Sequence, residues 1–563
     1  MVKNFLHPLV LIGFSLFVCA CSVNKKESVD YLVHHAIIYS ADDDFTTYEA
    51  MAIKEGRIVA LGSNAQLLSK YQGKRSYNAS GKAVMPGLFD GHAHFYGYGQ
   101  TLQNADLKGV DSWEKTLEVL HQFAQSHPEG WLIGRGWDQN LWPGKEYPTK
   151  EKLDQMFPNR PVYLTRIDGH AAIVNQKALD LAGFNSSTVI DGGELVKENE
   201  ALTGVLIDQA KNELFQIIPE PSEKEINSAL LEAQKYSLTH GLTTIVDAGL
   251  NYPIVEQIEL LQKSKELKIG LHVMLSDSDE NLAYLKKRGI IKTDRLLVNG
   301  FKFYSDGALG SRGACLLEDY SDRPGHRGLL LSDPDHFLSR AKELYKEGFQ
   351  MNTHAIGDSA NQVILQVYER VLQNKNDRRW RIEHAQVVAP KDFDRFGKFS
   401  ILPSVQPTHA TSDMYWAEER LGPKRIKNAF AYKDLLKQNG YIVLGTDFPV
   451  EDLSPIKTFY AAVVRKDAKG WPQEGFQSEN ALSRKEALWG MTLWASKGSF
   501  LEKEKGSLEV GKWADFIVLD QDLMKVKEED ILGTKVLKTF IQGELLMDRE
   551  SLNESLIAKD MKF

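Results

Sequence analysis

The chain has 563 residues, which is more than one hydrophobic core usually spans, so we expect a large domain with a smaller one attached. Its formal net charge of −8 provides no basic surface and argues against a nucleic-acid partner. A hydrophobic content of 42% is typical of a globular protein and argues against a disordered one.

The first 21 residues are predicted to be an export signal. Lys3 is the only Lys or Arg before Lys25, residues 5–18 are mostly apolar, and Cys-Ala-Cys-Ser follows. This order is typical of a signal peptide, and its ending resembles a bacterial lipobox, which implies that Cys21 carries lipid. The apolar run is shorter than the ~20 residues that span a bilayer. We expect an exported lipoprotein anchored in the membrane, facing the periplasm or the cell surface; an ordinary secretory peptide or a short membrane anchor is the alternative.

Residues 22–83 and 501–563 are predicted to form one small β-sandwich from both chain ends. Both segments contain stretches rich in apolar and β-branched residues, which favour strands, with turns at Glu55-Gly56-Arg57 and Gln542-Gly543. The predicted strands are 31–40 and 48–62 in the first segment, and 514–519 and 536–547 in the second.

Residues 84–500 are predicted to form a barrel domain. Short apolar stretches alternate here with stretches of helical period, which is typical of parallel βα units, and eight such units predict a closed (β/α)8 barrel of the TIM type. The fold class is therefore α/β. The predicted strands are 84–89, 244–247, 271–275, 298–304, 350–354, 380–384, 401–405 and 442–447, and the helical stretches include 252–267, 277–287, 333–347 and 358–372.

One connection of this barrel is too long to be a simple loop. Residues 95–223 leave the barrel after its first strand, and insertions of this length are usually functional or separately folded. We interpret the segment as a lid over the barrel mouth.

Chemistry in such a barrel lies at the C-terminal ends of the strands. Asp90-Gly91 is predicted to end the first strand, and His92 and His94 follow. Residues two apart share one face of an extended chain, so this pair can close on one metal ion; two unrelated loop histidines are the alternative. The other strand ends supply further ligand types, which are Lys302, His354, His384 and Asp447.

Six motifs accompany these residues. They are Pro-Gly-Leu-Phe-Asp-Gly-His-Ala-His at 86–94, Asp-Gly-His-Ala at 168–171, Asp-Gly-Ala-Leu-Gly-Ser-Arg at 306–312, His-Ala-Ile-Gly-Asp at 354–358, Ile-Glu-His-Ala-Gln at 382–386 and Gly-Ser-Leu-Glu-Val-Gly-Lys-Trp-Ala-Asp at 506–515. Together they resemble the amidohydrolase superfamily, in particular the branch of YtcJ-like proteins and N-substituted formamide deformylases. The resemblance covers nearly the whole chain after the export signal.

The resemblance implies a hydrolase with one or two metal ions of the zinc type, although another divalent metal is an alternative. It implies a catalytic Asp447 that takes a proton from water and passes it to the leaving nitrogen. A carboxylated Lys302 bridging two metals is expected, and an ammonium beside a single metal is the alternative. The implied metal ligands are His92, His94, Lys302, His354, His384 and Asp447.

We expect a small amide or N-substituted formamide as the substrate. The alternative hypotheses are an ester or lactone substrate, or a lipid-anchored binding protein without turnover. The sequence leaves the oligomeric state open, with a homodimer as one candidate. Candidate substrate-binding residues are Tyr96, Asp168, His170 and Arg312, with Trp142 and Trp416 as further pocket candidates. For these residues, packing or loop-fixing roles are the alternative.

Overall fold

The structure is a computed structural model that describes Met1 and residues 26–551. The predicted export signal and Cys21 lie outside the described residues, so export and lipid attachment stay predictions. Within the described part of the chain, no helix is long and apolar enough to cross a membrane.

Eight parallel strands form the central sheet, and each pairs with the next one along the chain. This sheet confirms the predicted α/β barrel. The strands are Leu88–Ala93, Leu242–Leu250, Gly270–Ser276, Leu296–Tyr304, Gln350–Ala355, Arg381–His384, Leu402–Val405 and Val443–Leu444, and the short antiparallel strand Ile291–Lys292 lies beside the fourth.

The first barrel strand differs from its prediction. Residues 84–89 read as one apolar strand, but the structure divides them between two sheets, with Ala83–Pro86 in the sandwich and Leu88–Ala93 in the barrel. At the division, the N–H of Gly87 donates to Asp515 at the sandwich, and the N–H of Leu88 donates to Gly241 at the barrel. The barrel strand therefore starts later and continues through Asp90-Gly91 instead of ending there.

Helices connect the barrel strands, as the sequence predicts. The predicted stretches 277–287 and 333–347 begin slightly later than expected because Ser278 and Asp333 cap the helices with their side chains. The helices are Phe95–Leu102, Glu223–Thr239, Tyr252–Lys263, Asp279–Arg288, Pro334–Glu347, Asp358–Leu372, Phe393–Lys398, Pro407–Asp413, Ala417–Arg425, Tyr432–Asn439, Pro455–Val464, Arg484–Gly490 and Leu493–Gly498.

The long insertion folds around its own six-stranded sheet. Adjacent residues point to opposite faces of a strand, and here Leu164 joins one apolar cluster while Tyr163 joins another, so both faces of the sheet are covered. The strands are Ala105–Asp106, Leu132–Trp137, Val162–Arg166, Ala171–Val174, Gly193–Glu198 and Ala201–Asp208, and the helices are Trp113–Ser126, Glu151–Met156, Gln176–Ala182 and Gln209–Phe215.

The two chain ends meet in a sandwich of a four-stranded and a six-stranded sheet. Phe516–Leu519 pairs antiparallel with Ala83–Pro86, which joins the ends as the sequence predicts. One sheet contains Glu27–His34, Ala50–Lys54, Arg57–Gly62 and Tyr71–Asn78, and the other contains Ile37–Tyr39, Thr47–Tyr48, Ala83–Pro86, Phe516–Leu519, Val536–Ile541 and Glu544–Asp548, while the helix Asn64–Lys70 connects two strands of the first.

The barrel closes where its first strand meets the segment after its eighth. The backbone N–H of Asp447 donates to the C=O of His92, and the N–H of His94 donates to the C=O of Phe448, each at 2.8 Å. The approach is close enough to require glycine, because a Cβ on Gly445 would lie 2.5 Å from the backbone nitrogen of His92. Closure of the sheet therefore places the predicted first-strand and eighth-strand site residues side by side.

Candidate active site

Three buried side chains converge where the barrel closes. His92 lies in the first strand, His384 ends the sixth strand, and Asp447 follows the eighth. One ligand-type atom from each of the three lies within 4.8 Å of the others. Within the described residues, this is the one cluster of three or more such side chains that could hold a metal ion.

The carboxylate of Asp447 lies among four imidazoles. Its Oδ1 is 3.2 Å from Nε2 of His94 and 3.6 Å from Nε2 of His92. Its Oδ2 is 3.4 Å from Nε2 of His409 and 4.0 Å from Nδ1 of His384. Asp447 is therefore the common neighbour of the histidines on both sides of the barrel closure.

His354 and Lys302 complete the group of side chains that the sequence predicts. The ring centroid of His354 lies 4.6 Å from that of His384. The Nζ atom of Lys302 lies 3.2 Å from Nε2 of His92, and this side chain is fully buried. The structure thus brings all six predicted ligand residues together, while their roles in binding metal stay predictions.

Burial keeps His92, His354 and His384 neutral, so their ring nitrogens are able to act as ligands. It lowers the pKa of His92 to about 4 and that of His354 to about 3, and it holds the pKa of His384 well below its usual value. Burial also lowers the pKa of Lys302 to about 8. Metal binding requires deprotonated ligands, so these shifts favour a cation at this position.

Asp447 is ionised despite its burial. Burial alone would raise the pKa of the carboxyl group, but its contacts with His94, His92 and His409 outweigh that effect and hold the pKa well below the usual range. An anionic carboxylate beside imidazoles is a donor set that suits Zn²⁺.

The backbone is held in a rarely populated conformation at two of these residues. His384 has φ of 72° and Asp447 has φ of 64°, and neither residue is glycine. Such left-handed residues cost of order 1–3 kcal/mol each and concentrate at functional sites. The strain indicates that the positions of these two side chains are fixed by their surroundings.

The site also contains ring nitrogens that the protein does not satisfy. Nε2 of His354 and Nε2 of His409 are buried and have no hydrogen-bond partner within the described residues. A buried polar atom without a partner costs free energy, typically about 1–3 kcal/mol. Ligation of a metal ion would use such nitrogens, so the residues present fit a bound cation.

The predicted substrate residues contact other partners. Asp168 pairs with Arg166, and His170 pairs with Asp208 at 2.8 Å, both within the insertion. Arg312 pairs with Asp322 at 2.7 Å. These contacts fit loop-fixing roles, and a role of the three residues in substrate binding stays a prediction.

The aromatic candidates are placed in packed surroundings. Tyr96 is buried in the core, and its backbone N–H donates to Oδ2 of Asp247 at 2.9 Å. Trp142 packs in the core of the insertion and donates to the C=O of Val110. Trp416 packs against the main core cluster. Their contacts with substrate also stay predictions.

Two residues at this site have no role in the sequence prediction. His409 lies in the helix Pro407–Asp413, four residues after the seventh strand ends. Its position just after a barrel strand is the sequence feature that could have identified it as a site residue. Glu383 precedes His384 in the motif at 382–386, and its Oε2 lies 2.5 Å from Nδ1 of His92. Its pairing depends on an inward-facing position that sequence alone does not reveal.

Proteins of similar sequence match almost the whole chain. The protein LONG AFTER FAR-RED 3 of Arabidopsis thaliana is 35% identical over 92% of this chain and 91% of its own length. The putative amidohydrolase YtcJ of Bacillus subtilis (strain 168) is 30% identical over 92% of this chain and 99% of its own. The N-substituted formamide deformylase of Arthrobacter pascens is 25% identical over 92% and 98% of the two chains.

A solved structure and a family model agree with these relatives. The crystal structure of an uncharacterized metal-dependent hydrolase from Pyrococcus horikoshii OT3 has a TM-score of 0.75 and 28% identity, and the match covers 88% of this chain and 99% of that one. The model of the amidohydrolase family matches residues 75–547. These matches show that the chain is a hydrolase and belongs to the amidohydrolase family.

Proposed function

We propose that the protein hydrolyses a carbon–nitrogen bond in a small amide or N-substituted formamide, using a metal ion of the zinc type. The observation that carries this proposal is the convergence of His92, His384 and Asp447 within 4.8 Å at the closure of the barrel. The family of the chain supports the same reaction type.

His92, His94, Lys302, His354, His384 and Asp447 are the residues that would hold one or two metal ions. A bound ion of this type supplies Lewis acidity, which makes water deprotonate near neutral pH and polarises a carbonyl group. Lys302 joins such a site as a carboxylate after its neutral amine adds CO₂ and loses a proton, and its lowered pKa of about 8 makes the neutral amine accessible.

Asp447 is the proton carrier in this proposal. Its Oδ1 faces His92 and His94, and we assign ligation to that oxygen. Its Oδ2 faces His409 and His384, and we assign proton transfer to that one. Oδ2 accepts a proton from the attacking water and returns it to the leaving nitrogen, which leaves as a neutral amine.

An ester or lactone hydrolase on the same site is the second candidate, because the same residues would serve it. We favour a carbon–nitrogen bond because the deformylase of Arthrobacter pascens, which matches over nearly its full length, is named for a formamide substrate. The choice of bond is therefore an inference from a relative.

A matched substrate panel tests the proposed bond. Zinc-reconstituted protein is assayed with p-nitroanilides, N-substituted formamides and esters that share the same acyl groups. We expect turnover of anilides or formamides that disappears after chelation and returns with zinc. Turnover of esters alone would contradict the proposed carbon–nitrogen bond and favour an ester hydrolase. Metal-loaded protein that cleaves none of these substrates would favour a binding protein.

The bridging role of Lys302 gives a prediction for metal content. Lys302→Ala removes the side chain that would be carboxylated, so metal occupancy should fall below that of the wild type, and short carboxylic acids should restore part of it. Lys505→Ala is the control, since Lys505 is equally buried but contacts Thr244 and Asp515 instead. Metal analysis of both variants decides, and two ions retained in Lys302→Ala would contradict the bridge.

Membrane anchoring is a separate proposal that rests on residues 1–21. We propose that acyl chains on Cys21 hold the exported protein at the membrane. Cys21→Ser should move the protein from the membrane fraction to the soluble fraction, because lipid chains supply most of the affinity of such proteins for a bilayer. Fractionation with Cys315→Ser as the control measures this effect, and a membrane-bound Cys21→Ser protein would favour a membrane-spanning anchor.

A further inference from the structure

A buried ion pair lies directly behind His92. Arg381 and Glu383 are two residues apart in the sixth strand and are both fully buried. Nε of Arg381 lies 2.7 Å from Oε1 of Glu383, and its Nη2 lies 3.0 Å from Oε2. Oε2 of Glu383 in turn lies 2.5 Å from Nδ1 of His92, so the three side chains form a continuous chain of contacts.

Arg381 is itself fixed from two other directions. Its Nη2 donates to the backbone C=O of Gly91 and to Oγ of Ser404, each at 2.6 Å. Gly91 directly precedes His92, so the guanidinium is hydrogen-bonded to the strand that carries this imidazole. The carboxylate of Glu383 therefore cannot rotate away from His92 without breaking its own pair with Arg381.

The identity of these groups determines which ring nitrogen of His92 carries hydrogen. A guanidinium only donates, and an ionised carboxylate only accepts. Nδ1 of His92 must therefore carry the hydrogen that faces Glu383, and Nε2 presents its lone pair on the opposite side of the ring. Nε2 points to the candidate metal site, where it lies 3.2 Å from Nζ of Lys302 and 3.6 Å from Oδ1 of Asp447.

We propose that Arg381 and Glu383 are a positioning pair that fixes the ring orientation and the tautomer of His92 for metal binding through Nε2. This inference rests on the proposed function for the metal but concerns residues that do not touch it. Carboxylates that accept from a ligating imidazole orient the ring, raise its basicity and typically contribute 10–100-fold to metal affinity. Glu383 thus acts through His92 and has no direct contact with substrate in this scheme.

The experiment uses variants that keep the barrel folded. Removing Glu383 alone would leave Arg381 buried and unpaired, which is strongly destabilising, whereas replacing a buried pair by apolar residues is often tolerated. The principal variant is therefore Arg381→Met combined with Glu383→Leu. Glu383→Gln is the conservative variant, since its amide can still accept from Nδ1.

A matched control separates metal binding from general loss of stability. His272 lies fully buried in the third strand, and its Nε2 is 2.7 Å from Oδ1 of Asn299. Asn299→Ala removes the same kind of buried oxygen–imidazole contact outside the metal cluster. It should lower the melting temperature without changing zinc affinity.

Two readouts test the pair. Zinc affinity, measured by competition with a chelator, should fall ~10–100-fold in the double variant and less than ~10-fold in Glu383→Gln. Nitrogen-15 spectra of protein labelled at the imidazoles, with the His92 signals assigned through His92→Asn, should show a protonated Nδ1 in the metal-free wild type. In the double variant, the His92 signals should shift towards a mixture of tautomers.

The outcomes distinguish this inference from the proposed function. Wild-type zinc affinity in a folded double variant, or an unprotonated Nδ1 in the wild type, would overturn the positioning role. If the wild type binds no zinc at all, the proposed function fails, and the wild-type titration alone reveals this. In that case the inference would fall with it as a metal-positioning role, even if the spectra show the expected tautomer.

Discussion

Asp447→Asn should lower kcat by ~10²–10⁴-fold, the usual range for a lost general base, while the metal stays bound. Asparagine keeps the size of the side chain and one ligand oxygen, but its amide does not accept the proton of the attacking water. KM should change little, because substrate binding rests on the metal and the pocket. Metal content and kcat are measured in parallel for the variant and the wild type.

Asp392→Asn is the control for this change. Asp392 is equally buried, but it contacts Gln362 and Arg395 on the outside of the barrel, so its loss should leave kcat unchanged. Turnover close to the wild-type value in a fully metallated Asp447→Asn protein would contradict the proton transfer assigned to Oδ2.

His92→Ala should abolish metal binding and reduce activity to the background rate. His92 belongs to the one candidate metal cluster in the described residues. Its ring also contacts Glu383, Lys302 and Asp447. The fold should persist, because the apolar core of the barrel packs independently of this imidazole. Metal analysis and circular dichroism measure the two effects separately.

The matched control is His272→Ala, which removes an equally buried imidazole that contacts Ser499 and Asn299. This variant should lose stability but retain metal and activity. A His92→Ala protein with full metal content would remove His92 from the ligand set, and the metal would then have to lie elsewhere.

The barrel and its strand-end residues could be predicted because their physical signals are local. Strands buried on both faces appear as short apolar runs, and their C-terminal ends face one side of the barrel, so His354 and His384 could be placed together without knowing the packing. The histidine pair at 92 and 94 was equally visible from its spacing.

Other features depend on contacts between distant parts of the chain. The apolar run from 84 to 89 contains no signal that the chain passes from one sheet to another within it. The passage is fixed by the backbone hydrogen bonds of Gly87 to Asp515 and of Leu88 to Gly241. His409 reaches Asp447 from a helix, and its sequence neighbours do not show which way it points. The partners of such residues become visible only in the folded chain.

The most direct test of the metal site is an anomalous-difference map at the zinc edge, recorded from crystals of the zinc-reconstituted protein. We expect a peak at the barrel closure, ~2.0–2.3 Å from ligand atoms of His92, His384 and Asp447. A second peak beside Lys302 would indicate two ions. Crystals of fully active protein with no peak at this cluster, or with zinc bound only elsewhere, would contradict a metal site at the barrel closure.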